Sequence, residues 1–199
     1  MILASRNEHK LRELTELLPG VELRPLPPGV ELPPEDGSTF AENALTKARA
    51  AHDATGEEAI ADDSGIEAAA LGRAPGVRSA RYAGEAASDE ENLSKLLAEV
   101  AAAGDDRRVA YVCVLAHVAR DGAETLFEGR CEGTLAQQPR GTGGFGYDPA
   151  FIPEATGADG RTMAELSTEE KNRISHRGLA ARLLNAHLAE GAPAEPEAR

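Results

Sequence analysis

The sequence has no apolar run approaching the roughly 20 residues of a membrane-spanning helix, so no membrane association is expected. Its opening, Met1-Ile2-Leu3-Ala4-Ser5-Arg6, enters folded-looking sequence without a signal-peptide pattern, and the expected location is the cytoplasm. Basic residues are scarce: 21 Lys and Arg stand against 34 Asp and Glu, a formal net charge of -13. That balance argues against a general nucleic-acid or membrane-surface binder. A polyphosphate ligand is still compatible with it, provided the site gathers its Lys and Arg locally. There are 2 cysteines, Cys113 and Cys131, with no His or Cys at ligand spacing to make a zinc site. No GxxxxGK run occurs, which excludes a P-loop. Neither an internal repeat nor a long linker divides the 199 residues, so residues 1–190 are expected to form one domain. The remainder, 191–199, carries Pro193 and Pro196 among small and acidic residues and reads as a disordered tail.

The centre of the chain is Ile60-Ala61-Asp62-Asp63-Ser64-Gly65, where two adjacent carboxylates leave an apolar strand and meet a hydroxyl and a glycine. Successive strand side chains point to opposite faces, so only one aspartate can enter a given pocket. Asp63, beside an expected Ser64-Gly65 turn, is the candidate working group, with Asp62 held by the scaffold. Read alone, the same four residues also describe a solvated turn.

Around it, Ile2-Leu3-Ala4 reads as a strand. After Ser5-Arg6-Asn7 a helix carries Leu11, Leu14, Leu17 and Leu18, with Asn7 as its N-cap. Ser5, Asn7 and Lys10 then gather at a helix N-terminus, where anions are favoured. Residues 25–37 read as a surface loop. Thr39 and Glu42 have capping-box spacing at the next helix, which gives Glu42 a structural role as an alternative to a metal-ligand one. Residues 77–84 lack periodicity and read as a loop or edge strand. Ser88 and Glu91 open a further amphipathic helix. Residues 107–119 and 125–131 form an expected hairpin, buried on both faces, about Arg120-Asp121-Gly122. In that register the two thiols are diagonal, about 7–8 Å apart, and unsuited to a disulfide. His117 on the hairpin reads as a packed histidine.

Gly141-Thr142-Gly143-Gly144-Phe145-Gly146 spells the dinucleotide fingerprint, but Pro139, Pro149 and Pro153 remove the strand-to-helix context that motif needs. A flexible loop bringing Phe145 and Tyr147 against a flat ligand is the better reading. Ser167 and Glu170 cap a helix carrying Lys171, and Ser175-His176-Arg177-Gly178 precedes a last helix with a leucine stripe. Lys171, His176 and Arg177 at helix starts oppose the helix dipole and point to a shared anionic client. Acids for a divalent metal, dispersed basic groups and a glycine-aromatic loop together describe a nucleotide hydrolase, and magnesium needs only one or two carboxylates.

The ordered motifs resemble those of the inosine/xanthosine triphosphate pyrophosphatase family from Ile2 to about Leu188. They are Ala4-Ser5-Arg6-Asn7 with Lys10; Thr39-Phe40-Ala41-Glu42-Asn43-Ala44; Ala61-Asp62-Asp63-Ser64-Gly65; Pro75-Gly76-Val77 with Ser79-Ala80-Arg81-Tyr82; Gly143 to Pro149; and Glu170-Lys171-Asn172 with Ile174 to Gly178. Arg73 departs from the pattern, standing where a second glycine is typical. The resemblance implies an α/β protein of two lobes with an elongated mixed β-sheet flanked by helices, the active site in the cleft between the lobes, and a homodimer. It implies that Ser5, Asn7 and Lys10, with Arg6 beside them, hold the triphosphate, and that Glu42 and Asp63 serve Mg2+. Asp63 would also accept the proton from water, and Ser64 would touch substrate. Phe145, Gly146, Tyr147 and Asp148 would embrace the base, with Lys171, His176 and Arg177 completing the contacts. The implied reaction converts ITP, dITP or XTP to the monophosphate and pyrophosphate.

Overall fold

The computed structural model describes residues 1–191; of the expected disordered tail, 191–199, all but Gly191 lies outside the described residues. One sheet has the order β2-β1-β3-β4-β5-β6. Its strands are β1 (Ile2–Leu3), β2 (Arg24–Pro25), β3 (Ala59–Ala68), β4 (Arg108–Val118), β5 (Glu124–Leu135) and β6 (Phe151–Pro153). β1 is parallel to both its neighbours and the rest are antiparallel, which is the mixed sheet expected. The α-helices α1 (Glu8–Leu17), α2 (Phe40–Thr55), α3 (Asp89–Ala103), α4 (Thr168–Ile174) and α5 (His176–Gly191) surround it. Their starts follow the caps legible in the sequence: Asn7, Thr39, Ser88 and Ser167 each accept a first-turn N–H, the last three within complete capping boxes.

Alternation along β3 and β4 sends residues to two faces. Ala59, Ala61, Val112, Val114 and Ala116 pack beneath α2, using Phe40, Ala44, Ala48 and Ala51. Ile60, Cys113 and Leu115 meet Leu14 and Leu18 of the α1 region and Ala180, Ala181 and Leu184 of α5. A third core gathers α3, through Leu93, Leu96 and Val100, with Ile66, Tyr111, Leu135 and Phe151. Each fully buried Leu or Ile contributes about 1.5–3 kcal/mol, so helices and sheet are held mainly by these contacts.

The β4–β5 turn falls where expected and pairs Tyr111 with Cys131 and Cys113 with Gly129. Both thiols are free and buried, and burial pushes each up to about 12. The hairpin is not buried on both faces throughout: β4 is, whereas β5 alternates buried and exposed positions. His117 is buried and its Nε2 lies 2.7 Å from a Glu58 carboxylate oxygen.

Two expectations fail informatively. No turn occurs at Ser64-Gly65; β3 continues through them to Ala68, paired residue for residue with β4. Gly65 is required for close approach: a Cβ there would lie 2.4 Å from Ser79 Oγ and 2.5 Å from the Gly76 carbonyl. That approaching segment, Gly76–Arg81, is a 3₁₀ helix, where a loop or edge strand was expected. Arg73, standing at the expected glycine position, adopts a φ of 75° and ion-pairs with Glu67 at 2.9 Å.

Candidate active site

The site exists because β1 is short. After Ala4 N–H donates to the Ile60 carbonyl at 2.8 Å, β3 runs on without a strand on that edge. Buried backbone groups need partners, and side chains supply them. Lys47 Nζ donates to the Asp62 carbonyl at 2.6 Å, the Asp63 carboxylate accepts Ser64 N–H at 3.0 Å, and Ser79 Oγ accepts Ile66 N–H at 2.9 Å. Beside this edge lies a cavity of about 350 Å³. Ser5, Arg6 and Asn7 line it from the β1–α1 turn, Lys10 from the first turn of α1, Asp63 and Ser64 from β3, and Phe145, Gly146, Tyr147 and Asp148 from the glycine loop. Lys171 of α4 and His176 and Arg177 of α5 complete the wall.

The adjacent aspartates have divergent environments. Asp62, fully buried, receives Lys10 Nζ at 3.0 Å and an Arg177 guanidinium nitrogen at 3.1 Å. Burial pushes its carboxyl upward, but Lys10, Arg177 and Lys47 outweigh that and hold it well below the usual carboxylate range. Asp63 is on the opposite face, where it accepts Asn43 Nδ2 at 2.9 Å. Burial raises its pKa against the opposing pull of Lys47 and the Asn43 hydrogen bond. Asp62 is therefore a fixed anion, and Asp63 is a carboxylate with elevated proton affinity facing the cavity.

At the α1 N-terminus Asn7 Oδ1 accepts His9 N–H at 2.9 Å and Lys10 N–H at 3.2 Å, while Ser5 Oγ accepts Asn7 N–H at 3.2 Å. Arg6 donates to the Val30 carbonyl at 2.7 Å, tying the turn to the proline-rich loop. On the opposite side, the Asp148 carboxylate accepts Phe145 N–H at 3.0 Å, Lys171 Nζ at 2.9 Å and the Tyr111 hydroxyl at 3.1 Å. Tyr147 donates its hydroxyl to the Ser79 carbonyl at 2.7 Å, and Gly146 N–H reaches Asp89 at 2.7 Å. His176 stacks on Tyr111 with centroids 4.6 Å apart. Its burial, with Arg177 and Lys171 nearby, drives its pKa well below 6.5, so the ring is neutral. Glu13 accepts from Lys171 at 2.8 Å and Arg177 at 2.5 Å, linking the basic groups into one network. Lys171 belongs to the last turn of α4, not a helix start as expected, while His176 and Arg177 do open α5.

Glu42 is engaged at the start of α2. Its carboxylate accepts Ser38 N–H at 2.7 Å, Ser38 Oγ–H at 2.8 Å and Thr39 N–H at 3.2 Å, and it does not line the cavity. These bonds complete the capping box. Glu35, from the acidic loop, is the carboxylate that enters the cavity with Asp63, and Lys47 bonds to it. Among the described residues no three His, Cys, Asp or Glu cluster as a metal cage. A pair of hard carboxylates leaving most positions to phosphate and water suits Mg2+. Asp63 and Glu35 together carry more negative charge than the Lys47 ammonium between them cancels, so this donor set fits a cation.

Sequence reasoning missed Glu35, Lys47, Glu13, Tyr111 and Asp89. Asn43 and Lys47 are i, i+4 neighbours, and polar groups beside an alanine stripe were the available signal. Glu35 lies in a loop with no periodicity to mark it.

The model of the Ham1 family matches residues 1–187. The chain is 51% identical over 183 residues to a dITP/XTP pyrophosphatase of Symbiobacterium thermophilum, covering 90% of each. It is 47% identical over 193 residues to a dITP/XTP pyrophosphatase of Geobacter sulfurreducens, covering 94% of this chain and 96% of the other. A solved HAM1 protein from Coxiella burnetii matches with a TM-score of 0.86 at 46% identity, covering 95% of this chain and 98% of that one.

Proposed function

This chain belongs to the Ham1 family, and from that premise we propose that it is a nucleoside triphosphate pyrophosphatase for deaminated purine nucleotides. It takes ITP, dITP or XTP and water to the monophosphate and pyrophosphate, clearing such nucleotides from the pool. One observation supports the reading: a single cavity is lined by the capped start of α1, by Asp63 with its raised pKa, and by aromatic and polar groups of the glycine loop, α4 and α5. One domain, residues 1–190, does this work, as a cytoplasmic homodimer without a nucleic-acid partner.

The triphosphate sits at the α1 N-terminus, where the helix dipole, Ser5, Asn7 and Lys10 favour anions. Lys10 balances Asp62 in the free protein and turns part of its charge to phosphate in the complex. Asp63 takes the proton from the water that attacks the α-phosphorus; the α–β anhydride breaks and its electron pair leaves with pyrophosphate. The raised pKa makes Asp63 a better proton acceptor than an exposed aspartate. Glu35 and Asp63 would hold Mg2+, which supplies neutralisation of charge gathering on the departing pyrophosphate. Ser64 Oγ, 3.0 Å from Arg177, orients that guanidinium toward the substrate.

The base lies against Phe145, with Asp148, Lys171, His176 and Arg177 at its edge. A 6-oxo group accepts a hydrogen bond from the His176-Arg177 pair or the loop backbone. A 6-amino group there puts donor against donor, leaving a buried polar group unpaired, and adenine nucleotides are rejected. Pyrophosphate release from a panel of ITP, XTP, GTP, ATP and dUTP, with and without magnesium, tests the assignment. Turnover of ITP and XTP well above the others is expected; GTP or dUTP turned over as fast as ITP overturns it.

A further inference from the structure

The glycine loop has a contact that the proposed chemistry leaves unused. Phe145 lies between Gly144 and Gly146, whose φ values are 71° and 62°, a left-handed backbone that glycine adopts without strain. Its ring stacks on His9, with centroids 5.4 Å apart and planes inclined by 27°. Lys171 Nζ lies 5.1 Å from the ring centroid. A second cavity, of about 250 Å³, adjoins the first; Phe145 and Lys171 line both, whereas His9 lines only the second. The Phe145 ring is thus the partition between two spaces, and His9 stands on the far side of it. His9 is placed by the same Asn7 cap that orders the phosphate-binding turn, since Asn7 Oδ1 accepts its N–H at 2.9 Å.

We propose that His9 is a positioning residue for base recognition, holding the Phe145 ring at the partition so that it presents a fixed stacking face to the purine. This rests on the pyrophosphatase reading. Without the imidazole, the ring can rotate about its side-chain bonds into the second cavity. Substrate then pays the cost of ordering the ring on binding, which weakens association more than it slows the bound complex. His9 does not line the cavity that holds Asp63, Ser5 and Lys10, so the chemical step has no dependence on it.

The experiment is steady-state kinetics of ITP hydrolysis by the full chain and by His9→Ala, His9→Gln and His9→Phe. His9→Ala is expected to raise KM about three- to tenfold, the scale of one aromatic pair, with kcat within about twofold. His9→Gln, polar but without a ring, should match His9→Ala, and His9→Phe should restore KM. An unchanged KM in His9→Ala, a loss confined to kcat, or failure of His9→Phe to rescue would each overturn the inference. Absence of ITP turnover by the unaltered chain would sink the pyrophosphatase reading instead, so the two failures are distinct.

Discussion

Neutralising Asp62 and neutralising Asp63, one residue apart on β3, should damage different properties. Asp62 is fully buried and is met by Lys10 at 3.0 Å and Arg177 at 3.1 Å. Asp62→Asn leaves the buried Arg177 with Glu13 as its remaining carboxylate partner among the described residues. Removing one member of a buried pair costs about 3–5 kcal/mol, and Lys10, partly open to solvent, places the expectation near the lower end. At about 2–4 °C per kcal/mol for a chain of this size, the melting temperature should fall by about 6–12 °C. Asp63→Asn removes a charge that burial already disfavours, so its melting temperature should stay within about 2–4 °C, a change of about 1 kcal/mol. Activity should instead fall by about 10²–10⁴-fold with loss of the general base. The pH dependence follows from Asp62. Its folded pKa lies below 3.8, so its stabilisation is complete above that value and is lost as pH falls toward the folded pKa. The stability gap between wild type and Asp62→Asn should narrow by about 1 kcal/mol between pH 5 and pH 3. Calorimetry and chemical denaturation across that range measure both. Equal thermal stabilities for the two variants, or a gap that widens in acid, would refute this division of labour.

Glu42→Gln separates two roles, since Gln serves a capping box: activity is retained if Glu42 only caps α2 and the magnesium requirement rises if it is a ligand; Glu35→Gln should raise the magnesium concentration needed for half-maximal velocity, and magnesium titrations of both compare them directly. Gly65→Ala should destabilise by about 1–3 kcal/mol, since its Cβ would meet Ser79 Oγ at 2.4 Å, and denaturant midpoints measure the loss. In the pH profile of kcat/KM, activity should fall in acid through an apparent pKa above 3.8, because Asp63 must be ionised to accept a proton. No second limb near 6.5 should arise from His176, whose pKa burial drives far lower; a limb there abolished by His176→Gln would contradict its neutral state.

Local chemistry made much of the fold legible. Helix starts at Asn7, Thr39, Ser88 and Ser167 were visible because capping is decided within four residues, and the β4–β5 register followed from one turn. What failed depended on distant partners. Gly65 looked like a turn because the 3₁₀ segment that packs over it is eleven or more residues away in sequence. Glu42 could be read as cap or ligand from its spacing, whereas Glu35 lines the cavity only because the folded loop carries it there. Tyr111 reads as one more strand aromatic; its hydroxyl gains meaning only when the glycine loop brings Asp148 to it. Arg73 at a glycine position marked a real conformational feature, a positive φ.

The central claim is the site of water attack on a 6-oxo purine triphosphate. Hydrolysis of ITP in ¹⁸O-labelled water, followed by mass spectrometry of both products, tests it most directly. The account predicts the label in the inosine monophosphate, unlabelled pyrophosphate, and no comparable turnover of ATP. Label in pyrophosphate, or inosine diphosphate and orthophosphate as the products, would contradict it.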